Sequence, residues 1–439
     1  MISISINKIF RENDMEKIKI CEMVDTYYPT VDGVIQVVKH YSNLLSEKSD
    51  CVVAAPKPRK KDKYVDNEKF KVLRCRGSYA PEGYRTAAPQ GDRKFMKNLL
   101  LENFDIIHTH TPFTMGRCAI NFGKKYKIPV VSTLHTQYHQ DFARVAHGCK
   151  LFVKIALKYI VHVYNHSDSV WTVSQKSAEF LRQYGYKGKV TVIRNGTDYR
   201  YPAEAEELVQ KVNQIHNLEG QKNVFLFVGR MAWYKGIKLI CDSMKVLKDK
   251  NEDFKMVFVG GGFDLEEVKA YVKKIGIEDK CILTGNISDR KLLQGYYLRS
   301  DLMVFPSTFD MASIVKEEAA AHKLACVLVK DSCCAERVVD GENGFLCEEN
   351  VESLSNMLLE LINSPEKMKQ AGENAHKTLY RTWDDVSKDV YDEYLKIIKE
   401  YKENLTEKEL VKYNKAKAKM QAKIDKAMKK QAKKQGKKN

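Results

Sequence analysis

The sequence predicts an α/β chain of two doubly wound parallel-sheet, Rossmann-like domains that face a central cleft, followed by a basic helical or disordered tail. Three observations carry this expectation. Short β-rich runs alternate with longer stretches of helical periodicity, and the series occurs twice. Such alternation implies parallel sheets covered by helices on both faces. The two series meet at Arg194-Asn-Gly-Thr-Asp198, a turn signal, with polar residues continuing to Gly220. Finally, 439 residues are long for one core and fit two.

In the first half, strands are expected over 18–23, 51–55, 71–75, 106–108, 130–133, 169–173 and 190–193. In the second they fall over 224–228, 256–259, 281–284, 302–305, 326–329 and 344–346. Most are near-continuous apolar runs, the mark of strands buried on both faces. The expected domains are 1–197 and 198–382. An amphipathic helix over 383–401 is expected to pack back on the first domain, and a lysine-rich tail fills 402–439.

Composition narrows the class. Apolar residues make up 44%, ordinary for a globular chain, and no apolar run approaches the ~20 residues that span a bilayer. The start, Met1-Ile-Ser-Ile-Ser-Ile-Asn-Lys-Ile-Phe10, is too short and wrongly flanked for a signal peptide. The eleven cysteines show no CxxC or Cys/His metal spacing and read as reduced cytosolic thiols.

The formal charge is +17, unevenly spread. Residues 411–439 hold twelve lysines against Asp425 alone, so the tail is the main basic feature. Tyr413, Ala416, Met420, Ile424 and Ala427 form an apolar stripe at helical spacing within it. Such a helix suits an anionic surface; a solvated, partly disordered tail fits equally. The tail has no arginine and almost no aromatics for stacking on bases, so no nucleic acid partner is expected.

Several residues that carry chemistry sit at strand ends. Asp310 and Glu318 lie eight apart, where the strand 302–305 turns at Pro306-Ser307 and enters an Ala-rich helix. Open α/β sheets bind ligands at that edge. Two carboxylates beside a helix N-terminus suit a ligand with hydroxyls and a phosphate. Arg230 follows the strand ending Phe227-Val-Gly, and Lys235-Gly236 comes five residues later, placing two cations where a diphosphate would need them. Val259-Gly-Gly-Gly262 is a tight turn, neither GxGxxG nor a P-loop. After the first strand, Gly33 would let backbone N–H groups approach an anion closely. His108, His110 and His135 stand at two further strand ends. They lack the carboxylate or thiol partners of a metal site, so no metal is expected, and a histidine that hydrogen-bonds substrate fits better.

Taken together, these motifs resemble the retaining nucleotide-sugar glycosyltransferases of family 4, with the GT-B fold. The likeness runs over about 18–401. Its carriers, in order, include Asp25…Tyr28-Pro29…Gly33-Val34, His108-Thr-His110-Thr-Pro-Phe, Thr133-Leu-His135-Thr, Val228-Gly-Arg230…Lys235-Gly236, Thr284-Gly-Asn-Ile287, Phe305-Pro-Ser307 and Gly341-Glu-Asn-Gly-Phe345. Asp310 and Glu318 match the spacing of the family's paired-acid motif E-x7-E, with Asp in first place.

The resemblance implies an acceptor-binding first domain and a donor-binding second one. Asp310 would contact sugar hydroxyls, Glu318 the ribose, and Arg230 and Lys235 the diphosphate, with help from Gly33. The backbone near Ile287 would meet the base, Ser313 and Ile314 would border the donor, and His135 would lie beside the sugar ring. No cofactor is implied; a UDP-sugar is the donor substrate. The chain departs from the pattern at Met311-Ala312-Ser313, where relatives have Thr-Phe-Gly, at Glu317, and at Tyr234.

The His108 and His110 motifs resemble the lipid-glycosylating branch, which acts on diacylglycerol. Independently, Lys150, Lys154, Lys158 and His162 recur every four residues among Leu151, Phe152, Ile155, Leu157 and Ile160, as in a helix that docks on anionic lipid. A core helix with one wet face has the same pattern. The expected function is transfer of a hexose, glucose in this reading, from UDP to diacylglycerol. The expected location is the cytoplasm, peripherally on the inner face of the cell membrane. A soluble or glycan acceptor, or an inactive scaffold, stays open at this point.

Overall fold

The computed structural model describes residues 17–30, 32–79, 85–146 and 148–435, so the segment read above for a leader and the end of the tail lie outside it. The strands are β1 (Lys19–Met23), β2 (Asp50–Pro56), β3 (Lys71–Cys75), β4 (Gly77–Tyr79), β5 (Arg85–Ala87), β6 (Ile106–Thr109), β7 (Val130–Leu134), β8 (Ser169–Thr172) and β9 (Thr191–Val192). Then come β10 (Val224–Val228), β11 (Lys255–Val259), β12 (Cys281–Gly285), β13 (Leu302–Val304), β14 (Cys326–Val329) and β15 (Phe345–Cys347). Every expected strand forms, with ends moved by at most one residue. Only the antiparallel ribbon β4–β5 was unforeseen; both its strands are too short for a periodic signal.

The first sheet has seven parallel strands in the order β3-β2-β1-β6-β7-β8-β9, and the second has six in the order β12-β11-β10-β13-β14-β15. Both run outward from the first strand and then reverse. Each sheet therefore has one switch point, between β1 and β6 and between β10 and β13, where a crevice opens at the strands' C-terminal ends. Burial explains the pattern: β10 reads Val-Phe-Leu-Phe-Val and is buried at all five positions.

Two chain crossings join the halves side by side. Thr197 bridges Thr382 in parallel, and a Cβ on Gly196 would stand 2.7 Å from the Thr382 carbonyl. Beyond the second crossing, helix Trp383–Glu403 starts with a Thr382–Asp385 capping box. Its Val386, Val390, Tyr394 and Ile397 are buried with Ile20, Val37 and Trp171 of the first half.

The tail corrects the sequence reading. Residues Glu407–Gln435 form one helix. Its apolar stripe faces neither a bilayer nor water: Met420 and Ile424 are buried among Phe95, Leu99, Met115 and Phe122. Tyr413, Ala416 and Ala427 are half-buried on the same side.

Candidate active site

The two switch points hold the residues singled out from the sequence. In the second half, β10 runs into Arg230 and a short turn, Trp233–Lys235. Gly236 closes that turn at φ 78°, where a Cβ would come within 2.6 Å of the Pro306 carbonyl. Only glycine tolerates both the angle and the approach. The turn is thereby pressed onto the loop after β13, and Lys235 Nζ forms an ion pair with Asp310 Oδ1. The Ser307 hydroxyl donates to Asp310 Oδ2 at 2.6 Å. Lys235 and Asp310, predicted separately, thus form one preassembled unit.

Glu318 lies one helical stretch further on and accepts from the Tyr297 hydroxyl at 2.6 Å. Burial pushes its carboxyl above the ordinary range, opposed by the Tyr297 bond and the Arg290 charge. Ser313 is the buried N-cap of helix Ile314–Ala321 and makes no side-chain cap bond. Ile287 follows β12 and is partly buried against the second core.

Facing these, Gly33 opens helix Gly33–Leu45, and Asp32 caps it by accepting from the Ile35 N–H at 2.9 Å. A Cβ on Gly33 would meet nothing within 4 Å. Burial raises the Asp32 carboxyl, opposed by the Ile35 N–H bond and by the charge of Arg230, so these two elements address one another across the cleft. Asp25 has a scaffolding place: it accepts from Thr111 Oγ1 (2.7 Å), Thr114 Oγ1 (2.6 Å) and the Met115 N–H (2.9 Å).

The histidines form a chain. His135 is half-buried at the end of β7, and its Nε2 stands 3.0 Å from His110 Nδ1. His110 Nε2 lies 2.7 Å from Glu22 Oε2. Glu22 Oε1 accepts from the Tyr394 hydroxyl at 3.0 Å. The same hydroxyl is 2.5 Å from His108 Nδ1, whose Nε2 is 2.6 Å from Thr133 Oγ1. Sequence reasoning placed the histidines but missed Glu22, which the parallel register sets opposite His108. An acid inside Lys19-Ile-Cys-Glu-Met23, otherwise an apolar strand after its first residue, was the available signal. The histidine set therefore has the carboxylate partner it lacked in the sequence. Ligand atoms of Glu22, His108 and His110 all lie within 4.8 Å, the one such group among the described residues. Every ring nitrogen of His108 and His110 already has a hydrogen-bond partner.

The residues that depart from the family pattern line the seam between the halves. Gln137 Nε2 donates to the Thr308 carbonyl at 3.0 Å, and Ser174 Oγ to the Met311 carbonyl at 3.2 Å. Met311 is buried among Leu134, Tyr138 and Val173 of the first half. Glu336 accepts from the Gln175 and Lys176 N–H groups at 3.0 and 2.9 Å, capping a first-half helix from the second half. Tyr234 packs on Phe309, with Arg144 5.4 Å above its ring. Glu317 is buried at the same seam, and burial lifts its carboxyl to about 6.

Helix Lys150–Asn165 buries Val153, Ile160, Val161, Val163 and Tyr164. It is thus a core helix with one wet face, and that wet face carries apolar side chains as well as cations: Leu151 is 68% exposed, Phe152 49% and Ile155 60%, beside exposed Lys150, Lys154 and Lys158. Among the described residues no helix is long and apolar enough to cross a membrane.

Two Rossmann-like domains with their switch points facing across a seam, one carrying cations and acids and the other a glycine turn, define a GT-B glycosyltransferase. Solved structures agree on the fold: the Anabaena protein Alr3699/HepE in complex with UDP matches with a TM-score of 0.70 at 18% identity, over 86% of this chain and all of that one. The family follows from the sequence models. The description "Glycosyltransferase Family 4" matches residues 31–201, and "Glycosyl transferases group 1" matches 209–378. The chain belongs to the family 4 glycosyltransferases and is a hexosyltransferase. Among its relatives is the alpha-monoglucosyldiacylglycerol synthase of Streptococcus pneumoniae, 25% identical over 303 residues, covering 68% of each chain. That of Acholeplasma laidlawii is 24% identical over 366 residues, covering 80% of this chain and 90% of the relative.

Proposed function

We propose that this glycosyltransferase moves glucose from UDP-glucose to diacylglycerol at a membrane surface, with retention. The observation that carries the lipid acceptor is the outward face of helix Lys150–Asn165, where exposed Leu151, Phe152 and Ile155 alternate with lysines. Apolar side chains ringed by cations on an acceptor-side helix suit an anionic bilayer. The names of the two synthases point the same way.

In this reading Arg230, Lys235 and the helix N-terminus at Ser313 and Ile314 neutralise the leaving diphosphate, with Gly33 opposite. One such electrostatic donor is worth about 3 kcal/mol. Asp310 holds sugar hydroxyls, Glu318 the ribose, and the backbone at Ile287 the base. Lys235 must exchange its Asp310 partner for the phosphate when donor binds. His135 lies by the sugar ring, and the acceptor hydroxyl enters from the leaving-group side. His108 and His110 back the acceptor side.

Sugar transfer from a panel of UDP- and GDP-sugars tests this, with and without liposomes of diacylglycerol and anionic lipid. Labelled glycolipid is expected from UDP-glucose with liposomes only. Product on a soluble acceptor, indifferent to liposomes, would overturn the lipid reading. Lys235→Ala should lower turnover by about a hundredfold with an unchanged melting curve. Preserved turnover in that variant would remove Lys235 from the donor site.

A further inference from the structure

We propose that Glu22 and His110 are positioning residues whose hydrogen-bond chain sets the form that His135 presents to the cleft. The proposal rests on the reading of His135 beside the sugar. The chain is unbroken: Glu22 Oε2 to His110 Nε2 at 2.7 Å, then His110 Nδ1 to His135 Nε2 at 3.0 Å. It begins at a fully buried carboxylate and ends at a half-buried ring on the segment that reaches the second domain through Gln137. Among the described residues no partner stands at His135 Nδ1, the end that points away from the chain.

Each link has one proton, so the direction of one bond dictates the next. The Tyr394 hydroxyl donates to Glu22 Oε1, which leaves Oε2 as the atom that carries or lacks the carboxyl proton. With Glu22 neutral, Oε2–H donates to His110 Nε2, His110 Nδ1–H donates to His135 Nε2, and His135 offers Nδ1–H outward. With Glu22 ionised, the Glu22–His110 and His110–His135 bonds both reverse and His135 Nδ1 offers a lone pair. A proton taken up at His135 Nδ1 thus passes along two hydrogen bonds and comes to rest on Glu22, with no buried imidazolium formed.

The surrounding groups leave that proton to Glu22. Burial lifts its carboxyl to about 8, the Tyr394 bond lowering it only in part. Burial holds His110 down at about 3 and His108 and His135 well below the usual range, so the rings stay neutral. Tyr41 from the helix Gly33–Leu45, Tyr394 from Trp383–Glu403 and Cys51 on β2 also face the cluster, and burial raises all three. The folded carboxyl is raised, so the neutral form and the outward N–H prevail below about pH 8 and are lost above it.

The test is sugar transfer as a function of pH in the full chain, wild type against Glu22→Gln, with ¹⁵N spectra of the histidine rings in both. The glutamine amide can donate to His110 while its oxygen accepts from Tyr394, so it holds the neutral arrangement at every pH. Wild-type kcat is expected to fall about tenfold as pH rises through about 8, the worth of one hydrogen bond to substrate, and Glu22→Gln is expected to lose that step. The His135 Nδ1 signal should change from protonated to bare over the same range in wild type only. A His135 signal that ignores pH and the Glu22 substitution would overturn the relay even if His135→Ala abolished turnover. A signal that switches while turnover stays level would keep the relay and remove His135 from the sugar.

Discussion

Two lysine-rich helices on the first domain have similar sequence patterns and opposite fates. Helix Lys150–Asn165 leaves Leu151, Phe152 and Ile155 in the open beside its lysines and buries a second apolar face. Helix Glu407–Gln435 spends its apolar stripe on the fold, with Met420 and Ile424 in the core, lysines such as Lys415 and Lys419 outward, and only Leu410, Val411 and Met428 of its large apolar side chains exposed among the described residues. The difference teaches that a cationic amphipathic helix is a membrane candidate only when apolar residues remain clustered on one exposed face after the fold is satisfied. The apolar side chains that the tail leaves exposed, Leu410, Val411 and Met428, are divided between its first turn and its far end and form no single patch to insert.

The largest effect that would sharpen this contrast comes from Leu151→Ser, Phe152→Ser and Ile155→Ser together. Each side chain is worth about 2 kcal/mol when fully removed from water. Partial insertion therefore predicts a roughly hundredfold loss of binding to anionic vesicles in co-sedimentation, with thermal stability unchanged. Unchanged binding would break the contrast. The mirror experiment is Ile424→Ala, expected to lower unfolding free energy in urea by about 2 kcal/mol while vesicle affinity holds. A stable variant with weakened vesicle binding would mean that the tail leaves the fold to meet the bilayer. Smallest is the comparison of single lysines. Lys154→Gln should weaken vesicle binding by about 1 kcal/mol, an effect that fades with added salt, and Lys415→Gln should do less. Equal losses would make both helices one cationic surface.

The two sides of the cleft differed in how far they could be read in advance. On the second domain the chemistry is local: Arg230 and Lys235, or Asp310 and Glu318, sit within a few residues of one strand end, so strand prediction carries them to the edge. Even there, the Lys235–Asp310 pair required the close approach of Gly236 to Pro306. On the first domain the histidines were visible but their partner was not. Glu22 belongs to β1, His110 to β6 and Tyr394 to a helix 372 residues away from Glu22 in sequence. Met311, Tyr234 and Glu336 read as departures or as nothing, because each has a partner on the opposite domain.

By itself the sequence determined the alternation of strand and helix, the two-sheet architecture and the family, because periodicity, turn residues and ordered motifs act over short stretches of chain. Tertiary structure alone decided which apolar stripe is buried and which is left to water, since identical periodicity serves either end. It also decided which carboxylate meets which histidine. That depends on strand register and on a C-terminal helix returning to the first sheet, and such long-range contacts leave no local trace.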